Sequence, residues 1–408
     1  MKYYIISGEA SGDLHGSNLI KELHKLDAHA TIRCWGGDKM QAAGATLVKH
    51  YKDLAFMGFV EVLKNLRTIF RNLAFCREDI QAFQPDTLIL IDYPGFNLRI
   101  AKWAKEQGLK VIYYISPQVW AWKENRVKMM KQCIDLMICI LPFEKDYYGQ
   151  RWNWDVAYVG HPLVEVVENF LVSSHEQEVG SPGSHIINEA FANPASSLEN
   201  QTTPGKLTTG NSQLKTKDFP LIALLPGSRK QEILQKLPIM LGVSRLFPHC
   251  RFVVAKAPGL EADFYNSLLA PYPNVSAVAN QTYALLAQAD AALVTSGTAT
   301  LETALFGVPE VICYKGNAIS YQIARRLVKI KFIGLVNLIM DKEVVKELIQ
   351  HELTVENLST ELNKLLNEPL KINQVKEDYR QLKELLSQGG HASANAARLV
   401  MEFLQKKG

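Results

Sequence analysis

Two glycine turns in the C-terminal half carry residues suited to holding a phosphorylated ligand. The first is Ser296-Gly297-Thr298. It follows an apolar run, Ala291 to Val294, and precedes a helix-forming stretch, Ala299 to Phe306, that Gly307-Val308-Pro309 stops. A strand, a tight turn and a helix start leave backbone N–H groups free, and the helix dipole favours an anion there. Glu302 lies about one turn into that helix, where a carboxylate can accept both hydroxyls of a ribose. The second turn is Pro226-Gly227-Ser228-Arg229, after the apolar strand Leu221 to Leu225 and before Lys230-Gln231-Glu232. The Arg229 guanidinium can fork onto two phosphate oxygens. Each turn alone is equally an ordinary strand–helix connection. Two of them in one parallel sheet converge at the strands' carboxyl ends. Together they read as a nucleoside-diphosphate grip with a sugar reader.

The N-terminal half offers acids and bases instead. Asp92 ends the buried strand Thr87 to Ile91 and opens Tyr93-Pro94-Gly95-Phe96-Asn97. A carboxylate there faces a ligand crevice, or caps the next turn. The strand Tyr3 to Ser7 runs into a turn, Gly8 to Asp13, in which Glu9, Ser11, Gly12 and Asp13 are more polar than a simple connection needs. Gly8, Gly12 and Gly16 would let a ligand or another backbone approach closely. His15 in the following helix and His161 near the end of this half are competing proton acceptors. No D-x-D occurs, and the ten histidines show no H-E-x-x-H spacing, so no metal or other cofactor is expected.

The elements that must position these groups alternate strand and helix in both halves. A chain of 408 residues suits two domains. With 47% hydrophobic and 21% charged residues it can bury sizeable cores. A net charge of +4 is too mild for a nucleic-acid-coating protein. No apolar run of about 18 residues predicts a transmembrane helix, and the start reads as a first strand, not a signal peptide. Six cysteines without a C-x-x-C pair read as reduced core residues of a cytosolic protein. Further strands are expected at Ile32 to Trp35, Lys110 to Ile115, Met137 to Leu141, Phe252 to Ala255, Val275 to Val278 and Glu310 to Tyr314. Trp120 and Trp122, on a loop after a strand, should pack inside the domain or line a groove. From Ser173 to Lys217 the chain turns rich in Ser, Asn, Gly, Pro and Thr and is assigned no fold. The predicted organisation is a first domain over 1–170, a flexible insertion over 171–218, and a second domain over 219–388. A last helix near 390–408 crosses back onto the first domain. Strand–helix alternation gives parallel, doubly wound sheets.

Two stretches mix apolar and basic residues. Leu54 to Leu63, with Leu66, Ile69, Phe70 and Leu73, is flanked by Lys64, Arg67 and Arg71; Tyr321 to Ile333 carries Arg325, Arg326, Lys329 and Lys331. Each is either an interfacial membrane contact or a helix with a solvated basic face.

Two such domains facing a crevice match the GT-B glycosyltransferase architecture. Over nearly its whole length the chain resembles the lipid-A-disaccharide synthase family. The resemblance rests on Ser7 to Asp13, Met57 to Leu63, Ile91 to Asn97, Tyr114 to Trp122, Leu141 to Glu144, Val159 to Pro162, Leu225 to Arg229 and Ser296 to Glu302, in that order. It implies transfer of 2,3-diacylglucosamine from its UDP ester to the 6-hydroxyl of 2,3-diacylglucosamine 1-phosphate (lipid X), giving a β-1,6 disaccharide and UDP. Inversion at the sugar needs one general base and no covalent intermediate. The resemblance makes Asp92 the candidate base. It gives Arg229, Ser228, Gly227, Ser296, Gly297, Thr298, Glu302 and Asn337 to the UDP-sugar, and Glu9, Ser11, Gly12, Asp13 and His15 to a first-domain loop. It implies no metal, and a peripheral enzyme on the cytoplasmic face of the bacterial inner membrane, touching it through Met57, Phe59 and Val60. Gly95 and Val336 depart from the family pattern, which often has Asp and Pro there, and the Ser173 to Lys217 insertion matches no part of it. A UDP-N-acetylglucosamine 2-epimerase and a non-catalytic nucleotide-sugar binder are the rival readings.

Overall fold

The computed structural model describes residues 1–54, 66–180, 219–257, 260–317, 321–322 and 330–406. They form two compact units, Met1–Glu165 with Leu385–Gly408, and Val166–Glu384.

The first unit is built on seven strands: β1 (Lys2–Ser7), β2 (Thr31–Gly36), β3 (Thr46–His50), β4 (Thr87–Ile91), β5 (Lys110–Tyr114), β6 (Leu136–Cys139) and β7 (Ala157–Tyr158). Their order is β3-β2-β1-β4-β5-β6-β7, and every pairing is parallel. The central strands are continuous apolar runs because helices cover both faces of a parallel sheet. One such helix, Ala10–Leu26, buries Leu19, Ile20 and Leu23. Trp35 is fully buried and donates its indole N–H to the Tyr4 hydroxyl at 2.9 Å. The C-terminal helix Ala392–Gln405 packs on Ala10–Leu26, and the Tyr3 hydroxyl reaches Met401 Sδ at 3.1 Å. Its entry depends on Gly389, where a Cβ would stand 2.1 Å from the Gly160 nitrogen.

The second unit repeats the plan with β8 (Leu221–Leu225), β9 (Arg251–Lys256), β10 (Val275–Ala279), β11 (Ala291–Thr295), β12 (Glu310–Tyr314) and β13 (Glu347–Ile349). The order is β10-β9-β8-β11-β12-β13, again parallel throughout. In each sheet the chain starts in the middle, builds one way, then returns to build the other. The reversal falls between β1 and β4, and between β8 and β11. Ligand sites of open parallel sheets form at such reversals, outside the carboxyl ends of the strands.

The structure revises some boundaries. β3, β7 and β13 escape sequence reading because short edge strands carry few apolar residues. The first unit ends at Glu165, inside the helix Pro162–Gly180. That helix takes in Ser173 to Gly180, which composition had left without a fold. Leu163, Val164 and Val167 are buried along it, and the Ser173 and Ser174 hydroxyls bond back to the carbonyls of Phe170 and Leu171. The rest of the insertion lies outside the described residues, as do Met57, Phe59, Val60, Arg325, Arg326 and Lys329. No helix among the described residues is long and apolar enough to cross a membrane. All six cysteines are buried and unpaired.

Candidate functional site

In the first unit the reversal between β1 and β4 presents Asp92. Asp92 and Tyr93 both take left-handed backbone angles, φ 43° and 48°, and after the neighbouring β5 so does Ile115, at 66°. Three non-glycine residues in this region, one β-branched, are strained, and such strain persists where the surroundings overdetermine it, commonly at functional sites. The Asp92 carbonyl is held by Asn97 Nδ2 at 2.7 Å and by the Tyr113 hydroxyl at 2.6 Å. Burial raises the Asp92 carboxyl to about 7; the charge of Glu9 adds to this and the Tyr93 N–H opposes it. A carboxyl that loses its proton near neutrality is a stronger base than an ordinary aspartate.

The glycine turn beside it allows close packing. Gly8 makes room for the Tyr93 ring, which a Cβ would meet at 2.4 Å, and Gly12 makes room for Ser7. Asp13 is buried and caps the short helix Asp38–Ala42: it accepts the N–H groups of Gly37 (2.8 Å), Met40 (3.0 Å) and Lys39 (3.2 Å). Within the first-domain loop, Asp13 thus serves as a cap. Glu9 and Ser11 remain half-buried, with Glu9 close enough to act on Asp92. His15 and His161 are buried. Burial lowers His15 to about 4; burial, with His15 as neighbour, lowers His161 to about 3. Both are neutral at pH 7 and weak as proton acceptors. Nearby, Trp120 is half-buried and donates to Glu144 at 3.1 Å. Trp122, expected either inside the domain or lining a groove, is 52% exposed, with the Lys123 ammonium 3.8 Å above its ring.

In the second unit the reversal between β8 and β11 brings the two glycine turns together. A Cβ on Gly227, whose φ is +115°, would meet Glu232 Oε2 at 2.8 Å and Thr295 Cγ2 at 3.4 Å. Gly297, with φ +136°, precedes the helix Thr298–Leu305, and nothing stands within 4 Å of where its Cβ would be. Ser228, Arg229, Gly297 and Thr298 are exposed and Ser296 is half-buried. Arg229 Nη1 lies 3.3 Å from Glu232 Oε1. Sequence reading missed Lys236. Its buried ammonium donates to the Thr295 hydroxyl and lies 3.9 Å from Glu232 Oε2. Burial holds it below the ordinary lysine range. A fixed positive charge thus stands at the root of both turns, and the signal was available, since Glu232 and Lys236 are one helical turn apart. Tyr283 was also missed. Its hydroxyl donates to Glu302 Oε1 at 2.8 Å, and its ring packs on Phe170 and Phe306. Burial raises the Glu302 carboxyl above its ordinary value, and the Tyr283 bond opposes that. No local sequence signal links residues so far apart.

Asn337 is engaged inside the protein. It is fully buried in the helix Leu335–Met340. Its Nδ2 bonds the Val345 carbonyl (2.8 Å) and Glu347 Oε1 (2.9 Å), and its Oδ1 accepts from the N–H groups of Val344 (2.8 Å) and Val345 (3.0 Å). Glu347 in turn accepts from the Ile333 and Gly334 N–H groups. With all these bonds made inside the protein, the side chain supports the loop before β13. Asn337→Ala strands several buried polar groups, each worth about 1–3 kcal/mol. We expect a large fall in Tm by calorimetry, with UDP affinity of the folded protein nearly unchanged; a normal Tm with lost affinity would return Asn337 to the ligand.

Among the described residues, no group of three His, Cys, Asp or Glu is placed to hold a metal ion. A profile of the family described as lipid-A-disaccharide synthetase matches residues 3–180 and 198–401. Relatives include the lipid-A-disaccharide synthase of Geobacter metallireducens, 37% identical over 99% of this chain and 97% of its own. Lipid-A-disaccharide synthase 1 of Legionella pneumophila is 34% identical over 99% and 97%. Among solved structures, UDP-GlcNAc 2-epimerase of Neisseria meningitidis bound to UDP-GlcNAc superposes with a TM-score of 0.64 at 13% identity, covering all of both chains. The calicheamicin glycosyltransferase CalG4 reaches 0.57 at 16% identity, covering 100% and 99%. These two share the fold and differ in chemistry, so architecture does not choose between transferase and epimerase. Identity along almost the entire chain does, and it places this protein in the lipid-A-disaccharide synthase family, as a glycosyltransferase of GT-B architecture.

Proposed function

We propose that the chain transfers 2,3-diacylglucosamine from its UDP ester to the 6-hydroxyl of 2,3-diacylglucosamine 1-phosphate, with inversion. The observation that carries this reading is Asp92, a carboxyl raised to about 7 on a strained turn at the carboxyl end of β4. It takes the proton of the attacking hydroxyl. The donor's diphosphate lies on the turns Pro226 to Arg229 and Ser296 to Thr298, whose N–H groups and Arg229 meet its charge, so the departure of UDP needs no metal. Glu302, oriented by Tyr283, accepts the ribose hydroxyls. The test is UDP release with acylated donor and acceptor, with the disaccharide identified by mass. An epimerised UDP-sugar, or no UDP release, would overturn the assignment.

We further read the enzyme as peripheral on the cytoplasmic face of the inner membrane, where both acylated substrates reside. Phe70 and Phe75, 64% and 43% exposed, stand on the helix Leu66–Phe83 with exposed Arg67 and Arg71. Apolar rings among cations suit an anionic lipid surface. Met57, Phe59 and Val60 precede this helix, and each apolar side chain inserted contributes roughly 1.5–3 kcal/mol. Changing all three to Ser is expected to cut binding to anionic vesicles in flotation by at least tenfold while unfolding stays cooperative. A variant that unfolds would instead place them in the core.

A further inference from the structure

The strained turn that carries Asp92 also forms part of a pocket. Leu54, Ile69, Tyr93 and Phe96 give it apolar walls, and Asn72 and Arg99 line it as well. The helix Pro94–Glu106, which bears Phe96 and Arg99, packs against two others. One is Leu66–Phe83, the source of Ile69 and Asn72; the other is Arg126–Cys133. The second contact gathers three cations. The Lys123 ammonium is held below the ordinary lysine range by partial burial and by the guanidiniums of Arg126 and Arg99 beside it. The Arg126 N–H bonds the Lys123 carbonyl at 3.0 Å, fixing the two in one turn. Arg99 donates to the Gly95 carbonyl, next to the Asp92 turn.

No carboxylate among the described residues neutralises this group. Glu124, the acid between Lys123 and Arg126, pairs with Arg151 at 2.8 Å instead. Like charges held together without a counterion repel, and an anion relieves them all at once. Two guanidiniums and an ammonium suit a phosphate, which takes forked hydrogen bonds from arginine. An apolar pocket beside a phosphate site fits an amphiphile that carries a phosphate and an alkyl chain. The donor's own phosphates are met by separate turns in the second unit, so a second phosphate site in the first unit calls for a second phosphorylated ligand.

We propose that Arg99, Lys123 and Arg126 bind the phosphate of the acceptor, and that the adjoining pocket of Leu54, Ile69, Tyr93 and Phe96 takes one of its acyl chains. This rests on the transfer reaction proposed above. Fixing the acceptor at its two ends leaves its sugar beside the Asp92 turn, so the cluster is a binding and orienting device. It makes the enzyme choose an acceptor that still carries its phosphate.

The experiment compares kcat/KM for the diacylated acceptor with and without its phosphate, at saturating donor. The parent enzyme should prefer the phosphorylated acceptor by about 10–100-fold, the range expected for charge-assisted hydrogen bonds. Arg99→Gln, Lys123→Gln and the Arg99→Gln/Arg126→Gln pair should bring that preference towards one, mainly through KM. Lys25→Gln, a surface control whose ammonium pairs with Glu22, should leave it as it is. Arg99 is exposed, so Arg99→Gln carries the test should a variant at Arg126 fail to fold. Preference undiminished in the variants overturns the proposal, and so does a loss confined to binding of anionic vesicles, which would assign the cations to the membrane. Absence of UDP release by the parent with either acceptor overturns the reaction itself, and the phosphate site with it.

Discussion

Asp92→Asn is expected to lose about 10²–10⁴-fold in turnover while UDP binds nearly as tightly as before. A sugar hydroxyl is a poor nucleophile at neutral pH and must shed its proton as it attacks. Asn keeps the size and shape of Asp92, and its backbone anchors, Asn97 and Tyr113, bond the carbonyl rather than the side chain. The substitution therefore removes the proton acceptor and little else. The pH profile is the second readout. With the carboxyl raised to about 7, the active, deprotonated form grows as pH rises, so kcat/KM of the parent should climb tenfold per pH step below about 7 and level off above it. The residual activity of the Asn variant should lack that limb. His15 and His161, lowered to about 4 and about 3, would put the inflection far lower. Near-normal turnover in Asp92→Asn would move the base elsewhere, with His15 the first to test.

The same residue should show a stability signature of opposite sign. The folded chain holds the Asp92 proton more tightly than the unfolded chain, whose carboxyl titrates near the ordinary 3.8. Between about 4 and about 7 the native state binds more protons, so this group's contribution to stability falls as pH rises. Asn has no charge to bury. At pH 8 the Asn variant should be more stable than the parent, by roughly 2–4 kcal/mol, and the gain should vanish near pH 4. A group kept against stability is one retained for function.

What sequence could and could not reveal follows from the range of the interactions involved. β1, β4, β8, β11 and β12 are buried on both faces, so their apolar runs announce them. The helix N-termini after β8 and β11 are local, and Gly227, Arg229, Gly297 and Glu302 are legible from a dozen neighbouring residues. The hydrogen-bond partners of Asp13 and Asn337 were not legible because they are distant. Asp13 is an acid in a glycine turn until Gly37, Lys39 and Met40 fold over it, and Asn337 is a polar residue in a family motif until β13 supplies Glu347. Lys123, Arg126 and Arg99 make the same point in reverse. Each looks like a solvated surface charge until the helices Pro94–Glu106 and Arg126–Cys133 pack together.

Glu302→Ala is expected to weaken UDP binding by about 1.5–3 kcal/mol, roughly 10- to 150-fold, the usual cost of losing a charged hydrogen-bond partner. Glu302 sits one turn beyond Gly297, so a diphosphate on the turn places the attached ribose over it. The side chain is already fixed: Tyr283 donates to Oε1 at 2.8 Å, and Phe170 and Phe306 brace the Tyr283 ring. Only a little rotamer freedom remains to be lost on binding, which favours the upper part of the range. Calorimetric titration with UDP and with its 2′-deoxy analogue separates this role from a general loss of structure. The parent should prefer UDP, and Glu302→Ala should bind the two alike. Tyr283→Phe should show a smaller loss of the same preference, because it frees the carboxylate without removing it. Burial raises the Glu302 carboxyl, and only the ionised form accepts both hydroxyls. UDP affinity of the parent should therefore begin to fall at a higher pH than an ordinary glutamate would give, and this dependence should be absent from Glu302→Ala. Unchanged affinity in Glu302→Ala, or an undiminished preference for the 2′-hydroxyl, would remove Glu302 from the donor site.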